Sequence, residues 1–346
     1  MTTENNMQYV RLGKSGLKVS RVILGCETYG SKSQGSWHLE EEKAVEHIKL
    51  AYDLGINTFD TADSYSNGES ERILGKAIKK YNIPRDEIVV MTKAWAAVSR
   101  EPGTLWGASE EKLGQLRYTN QQGLSRKHLF AAIKNSLERL QFDYVDLFQC
   151  HRFDYNTPIE ETMHALHDIV KAGYARYIGM SSCYAWQFHK MQNYAREHGI
   201  TEFISMQNLY NPTYREEERE MVPLLQDLGV GMMNWSPNAG GALARPITAQ
   251  TERSETHIWA KVRPVVPFLP AINNRIEEIA KARGISMAQV VLAWSLSKNF
   301  VTAPIVGTTS LDQLRDSVGA IHVKLTEEEV KSIDELYQPR MVFGFA

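Results

Sequence analysis

The chain has 346 residues, a formal net charge of −2 at pH 7, 43% hydrophobic and 23% charged residues, a balance that excludes a disordered chain and admits a sizeable core. No basic stripe marks a nucleic-acid surface, no polybasic cluster marks an anionic membrane, and no run of about 18 apolar residues spans a bilayer. The three cysteines, Cys26, Cys150 and Cys183, form no CxxC pair, which argues against a disulfide framework or a thiolate zinc site. With no apolar signal core in MTTENNMQYV, the expectation is a cytoplasmic protein without nucleic-acid or membrane partners.

In chain order the first predicted strand is Val19–Leu24, followed by an amphipathic segment over His38–Leu54. A strand over Ile56–Asp60 precedes a helix over Glu69–Lys80, and Ile88–Thr92 is the third strand. A helix opening on a Ser cap covers Ser125–Leu140. Next come a strand over Tyr144–Gln149 and a helix over Pro158–Ala172, then Ala175–Met180 and the helix Tyr184–Glu197. Phe203–Gln207 and the helix Glu216–Leu228 are followed by the strand Gly229–Asn234. An extra helix over Ser286–Leu296 precedes the last strand, Val301–Ile305, and the helix Asp312–Ala320. The strands are short, apolar and mostly without alternation, as expected for strands buried on both faces. Strands that alternate with helices predict βαβ units and a parallel sheet, and their number and the chain length fit one (β/α)₈ TIM barrel domain over residues 1–346. Long loops are predicted after the third and seventh strands, over 94–123 and 236–270. Both follow strand C-termini, the end where such barrels build their sites. The run Arg215–Glu220, REEERE, reads as the solvated start of a helix.

The informative segment is GINTFDTADSYSNGESE, Gly55 to Glu71. It places Asp60 at a strand end and Tyr65 in the loop beyond. The third strand, IVVMTK, ends at Lys93, and the fourth, VDLFQCHR, runs to His151. These four side chains therefore meet at one end of three successive strands. Reducing a carbonyl needs a hydride at carbon and a proton at oxygen. A phenol with a pKa near 10 donates poorly at neutral pH, and a nearby ammonium makes it a better acid. Lys93 can supply that charge, Asp60 can hold Lys93, and His151 can fix the carbonyl oxygen. No side chain supplies hydride, so a cofactor is implied.

These runs resemble the aldo-keto reductase family over nearly the whole chain. RLGKSGLKVSRVILGCETYG is similar to the family's opening. MTK, LFQCHRFD, YIGMSS, MQNLYN, NWSP and PIVGTTSLDQL then follow in the family's order. HRFDYNTPIEETMHALHDIVKAG, YREEEREMVP and LTEEEVKSIDELY resemble the fungal branch of aryl-alcohol dehydrogenases and versiconal hemiacetal acetate reductases. The resemblance implies catalytic roles for Asp60, Tyr65, Lys93 and His151. It implies that Ser181, Ser182 and Gln207 hold the nicotinamide amide, with Ser182 standing where the family has Asn. It implies stacking by Trp235 and pyrophosphate contacts from Ser236, Pro237, Gly241 and Arg245, in a loop where Asn238 and Gly240 depart from the family pattern. Gly307, Thr308, Thr309, Gln313 and Ser317 fall on the adenosine-phosphate positions. The expected cofactor is NADPH, and the absence there of the family's Lys, Arg and Asn admits NADH as well.

Tyr29, Trp95, Trp106 and His151 are expected to line a pocket for aromatic or extended apolar substrates, with loop packing as the plain alternative for the first three. Glu27, in the loop after the first strand, stands where the branch has a neutral residue and would favour a cationic or hydroxyl-bearing substrate. The expected partner is a small-molecule carbonyl or alcohol, and the expected state a monomer or weak homo-oligomer. No metal site is expected. A short-chain dehydrogenase needs a GxGxxG turn and a Tyr-x-x-x-Lys pair, and neither is found. A second reading is a non-catalytic nicotinamide-binding subunit resembling the potassium-channel auxiliary proteins.

Overall fold

A computed structural model describes residues 7–33, 35–249, 251 and 266–345. Part of the second predicted loop, residues 252–265, lies outside the described residues, as do residues 1–6.

A short antiparallel hairpin, β1 (Tyr9–Arg11) and β2 (Lys18–Ser20), opens the chain. Eight parallel strands follow: β3 (Ile23–Gly25), β4 (Thr58–Asp60), β5 (Val89–Ala94), β6 (Val145–Cys150), β7 (Ala175–Ser181), β8 (Phe203–Leu209), β9 (Gly231–Trp235) and β10 (Val301–Val306). They pair in sequence order and β10 closes on β3, giving the expected (β/α)₈ barrel. Around it lie α1 (Glu41–Asp53), α2 (Glu69–Lys80), α4 (Arg126–Leu140), α5 (Ile159–Lys171), α6 (Ala185–Glu197), α7 (Met221–Leu228) and α10 (Leu311–Gly319). The long loop after β5 carries α3 (Glu110–Gln115), and α8 (Leu269–Arg283), α9 (Met287–Ser297) and α11 (Glu327–Asp334) are additions.

The caps explain several boundaries. The hydroxyls of Ser125, Ser286 and Ser310 accept from backbone N–H groups three residues on and start α4, α9 and α10. Gly229 and Gly284, at φ 69° and 65°, end α7 and α8 in the left-handed region that glycine enters cheaply.

Besides β1, α3 and α11, which were not predicted, the structure corrects the prediction at three places. The run Val19–Leu24 is two strands, not one. The Arg21 guanidinium between them bonds Val301 O, Thr302 O and Leu296 O at 3.1, 2.6 and 3.1 Å, which breaks the run at the barrel floor. Helix α8 occupies a stretch with no predicted helix. The run Glu216–Leu228 splits into a short 3₁₀ turn, Glu216–Glu218, and α7.

Alternate residues of each strand point into the barrel. At the lower end these are Ile23, Val89, Met91, Leu147, Met233, Ala303 and Ile305, and Leu12 and Val19 of the hairpin pack against them as a floor. The hairpin sits tightly. A Cβ on Gly13 would lie 2.5 Å from Gly231 N, so the turn needs glycine there. Among the described residues no helix is long and apolar enough to cross a membrane.

Candidate active site

Toward the upper end the inward positions change from apolar to polar. The same two-residue step that puts Met91 and Leu147 in the floor puts Lys93, Gln149 and His151 above them. Asp60 ends β4 beside them. The Lys93 side chain is fully buried, and its ammonium donates to Asp60 Oδ2 at 2.6 Å, Thr61 O at 2.9 Å and Tyr65 Oη at 3.1 Å. Three donors meet three acceptors, so the ammonium is fully used. Asp60 Oδ1 accepts from Gln149 Nε2 at 3.1 Å and Gln207 Nε2 at 3.0 Å, which fixes the carboxylate from its other side. Gln207 Nε2 also donates to Gln149 Oε1 at 3.1 Å.

Tyr65 leaves β4 on a constrained loop. Ser66, Asn67 and Gly68 that follow it are all at positive φ, 48°, 54° and 85°. Such conformations cost about 1–3 kcal/mol each for non-glycine residues and cluster where a site demands them. Asn67 holds the loop by donating to Gly103 O at 2.7 Å and accepting from Ser99 N at 3.2 Å. A Cβ on Gly68 would meet Arg139 Cδ at 2.4 Å, so only glycine fits before α2.

The Tyr65 oxygen accepts from Lys93 and, among the described residues, donates to no acceptor, so its proton is available to the pocket. His151 stands edge-on to Tyr65 with ring centroids 5.6 Å apart, and its Nδ1 has no hydrogen-bond partner. Burial, reinforced by Lys93 and Arg152, holds the His151 imidazole well below its ordinary pKa and hence neutral. Burial works against the Lys93 ammonium, but Asp60 and the Tyr65 oxygen together outweigh it and keep its pKa above the ordinary value. For Tyr65 the outcome differs from the expected one. Burial is the largest effect and pushes the phenol up to about 12. Lys93 pulls it down, and Asp60 and Glu27 push it further up. The site therefore stores the proton on Tyr65 at neutral pH rather than releasing it.

Asp60, Tyr65 and His151 line a cavity of about 1140 Å³, with the fully buried Lys93 behind them. That is more than one drug-sized ligand needs, roughly 300–1,000 Å³. Its wall includes Ser181, Gln207, Trp235, Ser236, Pro237, Gly241 and Gly307. Trp106 and His151 also line it, as does Glu27.

Other expected site residues lie elsewhere. Tyr29 is wholly buried, and its hydroxyl shares a 2.6 Å hydrogen bond with His47 Nδ1 behind the wall. Trp95 packs on Trp106, centroids 5.4 Å apart, and backs the pocket rather than lining it. Ser182, at φ 50°, accepts from Trp235 Nε1 at 3.2 Å and its N–H donates to Asn208 Oδ1 at 2.8 Å, so it supports Trp235 from behind. Thr308 is turned to His47 Nε2 at 2.8 Å. Thr309 N–H donates to Gln313 Oε1 at 3.2 Å, and Ser317 Oγ donates to Gln313 O at 2.8 Å, at the start and along the body of α10. Arg245 Nε reaches Ala249 O at 3.2 Å, outside the wall.

Three features escaped the sequence reading. Gln149 was readable from its two-residue spacing to His151. The tail Val342–Phe345 lines the mouth, with Phe345 edge-on to Tyr184 at 5.1 Å; it has no periodicity that could place it. The run Arg215–Glu220 is solvated only in part, at Arg219 and Glu220. Glu217 is buried and accepts from Asn208 Nδ2 at 2.5 Å, and burial, more than the neighbouring Glu216, raises its carboxyl to about 8.

The model of the aldo/keto reductase family matches residues 21–338. The chain belongs to the aldo/keto reductase family. This aldo/keto reductase is 47% identical over 340 residues to a versiconal hemiacetal acetate reductase of Aspergillus parasiticus, covering 97% of this chain and 98% of that one. It is 45% identical over 344 residues to a putative aryl-alcohol dehydrogenase of Schizosaccharomyces pombe, covering 97% of each. It is 41% identical over 338 residues to one of Saccharomyces cerevisiae, covering 96% of this chain and 98% of that one.

Proposed function

We propose that this chain is a carbonyl reductase that takes aldehydes or ketones to alcohols, and the reverse, with NADPH as the preferred hydride source and NADH accepted. The observation that carries this reading is the Lys93 ammonium held between Asp60 and the Tyr65 oxygen, at 2.6 and 3.1 Å, behind the wall that these two residues give to a cavity roomy enough for two ligands.

The residues present suit a nicotinamide. Ser181 and Gln207 offer polar atoms to an amide, Trp235 offers a ring face, and Gly307 brings the wall to within three residues of the α10 N-cap, Ser310, where a phosphate suits. A nicotinamide held there supplies the hydride. Tyr65 donates the proton to the carbonyl oxygen, an alkoxide being a far stronger base than a phenolate. Lys93 stabilises the phenolate that remains, and Asp60, braced by Gln149 and Gln207, keeps Lys93 in place. His151, neutral and on the flank of Tyr65, directs the carbonyl oxygen toward the phenol. The names of the similar proteins and the aromatic rings of Trp106, Trp235, Tyr184, Phe343 and Phe345 around the cavity favour aromatic or extended apolar substrates.

The test is a side-by-side assay with NADPH and NADH across a panel of aldehydes that includes 4-nitrobenzaldehyde. Cofactor consumption is expected with both. Tight cofactor binding without consumption across the panel would refute the enzyme reading and favour a regulatory subunit.

A further inference from the structure

Arg152 follows His151 directly and lines the same cavity. Its Nη1 donates to His151 O at 2.6 Å. Its guanidinium lies 5.0 Å from the ring centroid of Trp106 and 6.0 Å from that of Trp235, so two indoles flank it. Among the described residues no carboxylate forms an ion pair with it. The acidic side chain nearest in sequence, Asp154, is committed elsewhere. It accepts from Leu124 N at 2.7 Å, Asn156 N at 2.9 Å and Thr157 Oγ1 at 2.6 Å. Burial lowers the Arg152 pKa to about 10, so the group remains cationic at neutral pH. A half-buried guanidinium without an anion is costly unless an anion arrives.

The place of Arg152 in the barrel narrows the choice of anion. It follows β6, and β10 lies four strands away in either direction round the closed barrel of eight. The α10 N-terminus, where a cofactor phosphate fits, is therefore on the opposite side of the mouth. The rings beside Arg152 are the indoles of Trp106 and Trp235, which suit a flat apolar body. With Nη1 given to His151 O, Nε and Nη2 remain for the bidentate geometry that a carboxylate offers.

We propose that Arg152 is a substrate anchor for a carboxylate, and that the preferred substrates are aromatic carbonyl compounds bearing a carboxylate on the ring. The substrate class rests on the carbonyl-reductase reading, whereas the anion site itself does not.

Two measurements separate these. The first uses no turnover. Binding of benzoate and of its neutral analogue benzamide is followed by quenching of tryptophan fluorescence, since Trp106 and Trp235 flank the site. Benzoate is expected to bind at least about tenfold more tightly than benzamide, the size of one charge-assisted contact. Arg152→Met removes that difference, and Arg152→Lys, keeping the charge without the fork, restores part of it. Equal binding of the two probes to the unaltered protein overturns the proposal even if the variants fail to fold. The second measurement compares kcat/KM for 4-formylbenzoate with that for its methyl ester. The carboxylate is expected to win by about tenfold, chiefly through KM, and Arg152→Met to bring the ratio near one. A drop in kcat of equal size for both substrates would mean that Arg152 acts on the reacting oxygen, and would overturn the anchor. Benzoate binding with no aldehyde turnover would leave the anion site standing and refute the reductase reading.

Discussion

The two ends of the barrel are built from the same strands and do opposite things. At the lower end Met91, Leu147, Met233 and Ile305 face inward and the hairpin residues Leu12 and Val19 cap them. Two residues further along, β5 and β6 present Lys93 and Gln149, and the interior becomes a network in which Asp60 accepts from three donors. The lower end is held by apolar burial, which has no direction and tolerates repacking. The upper end is held by buried polar groups, which are stable only when every partner is in place. Positive φ occurs at both ends, with Asn82 and Gln141 after α2 and α4 below. Ser66, Asn67, Ser182, Ser236 and Ala239, all at positive φ, lie in loops at the upper end. Inside the barrel, apolar packing lies below and the polar site above.

The comparison breaks most sharply at Lys93. Lys93→Met leaves the buried Asp60 carboxylate without its ion pair, and removing one partner of a buried pair costs roughly 3–5 kcal/mol. It also removes the charge beside the phenol. We expect turnover to fall about 10²–10⁴-fold and Tm to fall together with it, measured by steady-state assay and calorimetry. Leu147→Ala, at the other end of the same network's strand, should cost about 2–5 kcal/mol in denaturant unfolding with little change in kcat. Comparable loss of kcat in that variant would show that the two ends are not separable.

Glu217 sharpens the division further, because it braces Asn208 and through it Ser182 behind Trp235. Burial raises its carboxyl from an ordinary 4.5 to about 8. A raised folded pKa gives stability that is complete below about pH 4.5 and is lost as pH rises through about 8. Tm should therefore decline over that window, and Glu217→Gln should flatten the decline. An unaltered slope in the variant would assign the pH dependence to other groups. The smallest expected effect is in cofactor choice. No cation stands at Gly307, Thr308, Thr309, Gln313 or Ser317. NADPH should be favoured over NADH by less than about a hundredfold in kcat/KM, the worth of one charged contact at most.

The sequence made the candidate catalytic group legible because a charged or polar residue that ends a buried apolar strand has few explanations. Asp60, Lys93 and His151 each stand there, and Tyr65 follows by loop length. The barrel was legible from alternation of short apolar strands with amphipathic helices. What stayed hidden depends on contacts between distant segments. Tyr29 and Trp106 are both aromatic loop residues, and only the position of His47 decides that Tyr29 faces inward to it. Glu217 stands in a run of charges that reads as solvated, and only Asn208 shows that it is buried. The net effect on the Tyr65 phenol is hidden for the same reason. A nearby ammonium is visible in a motif, but the depth of burial that outweighs it is not.

The central claim is that Tyr65 delivers the proton while the rest of the site holds cofactor and carbonyl in place. Tyr65→Phe removes one hydroxyl and leaves the Lys93–Asp60 pair, so cofactor affinity, followed by fluorescence, and fold, followed by Tm, should both be retained. The account predicts that kcat falls about 10²–10⁴-fold in that variant. A near-normal rate with the cofactor bound as tightly as before would contradict it.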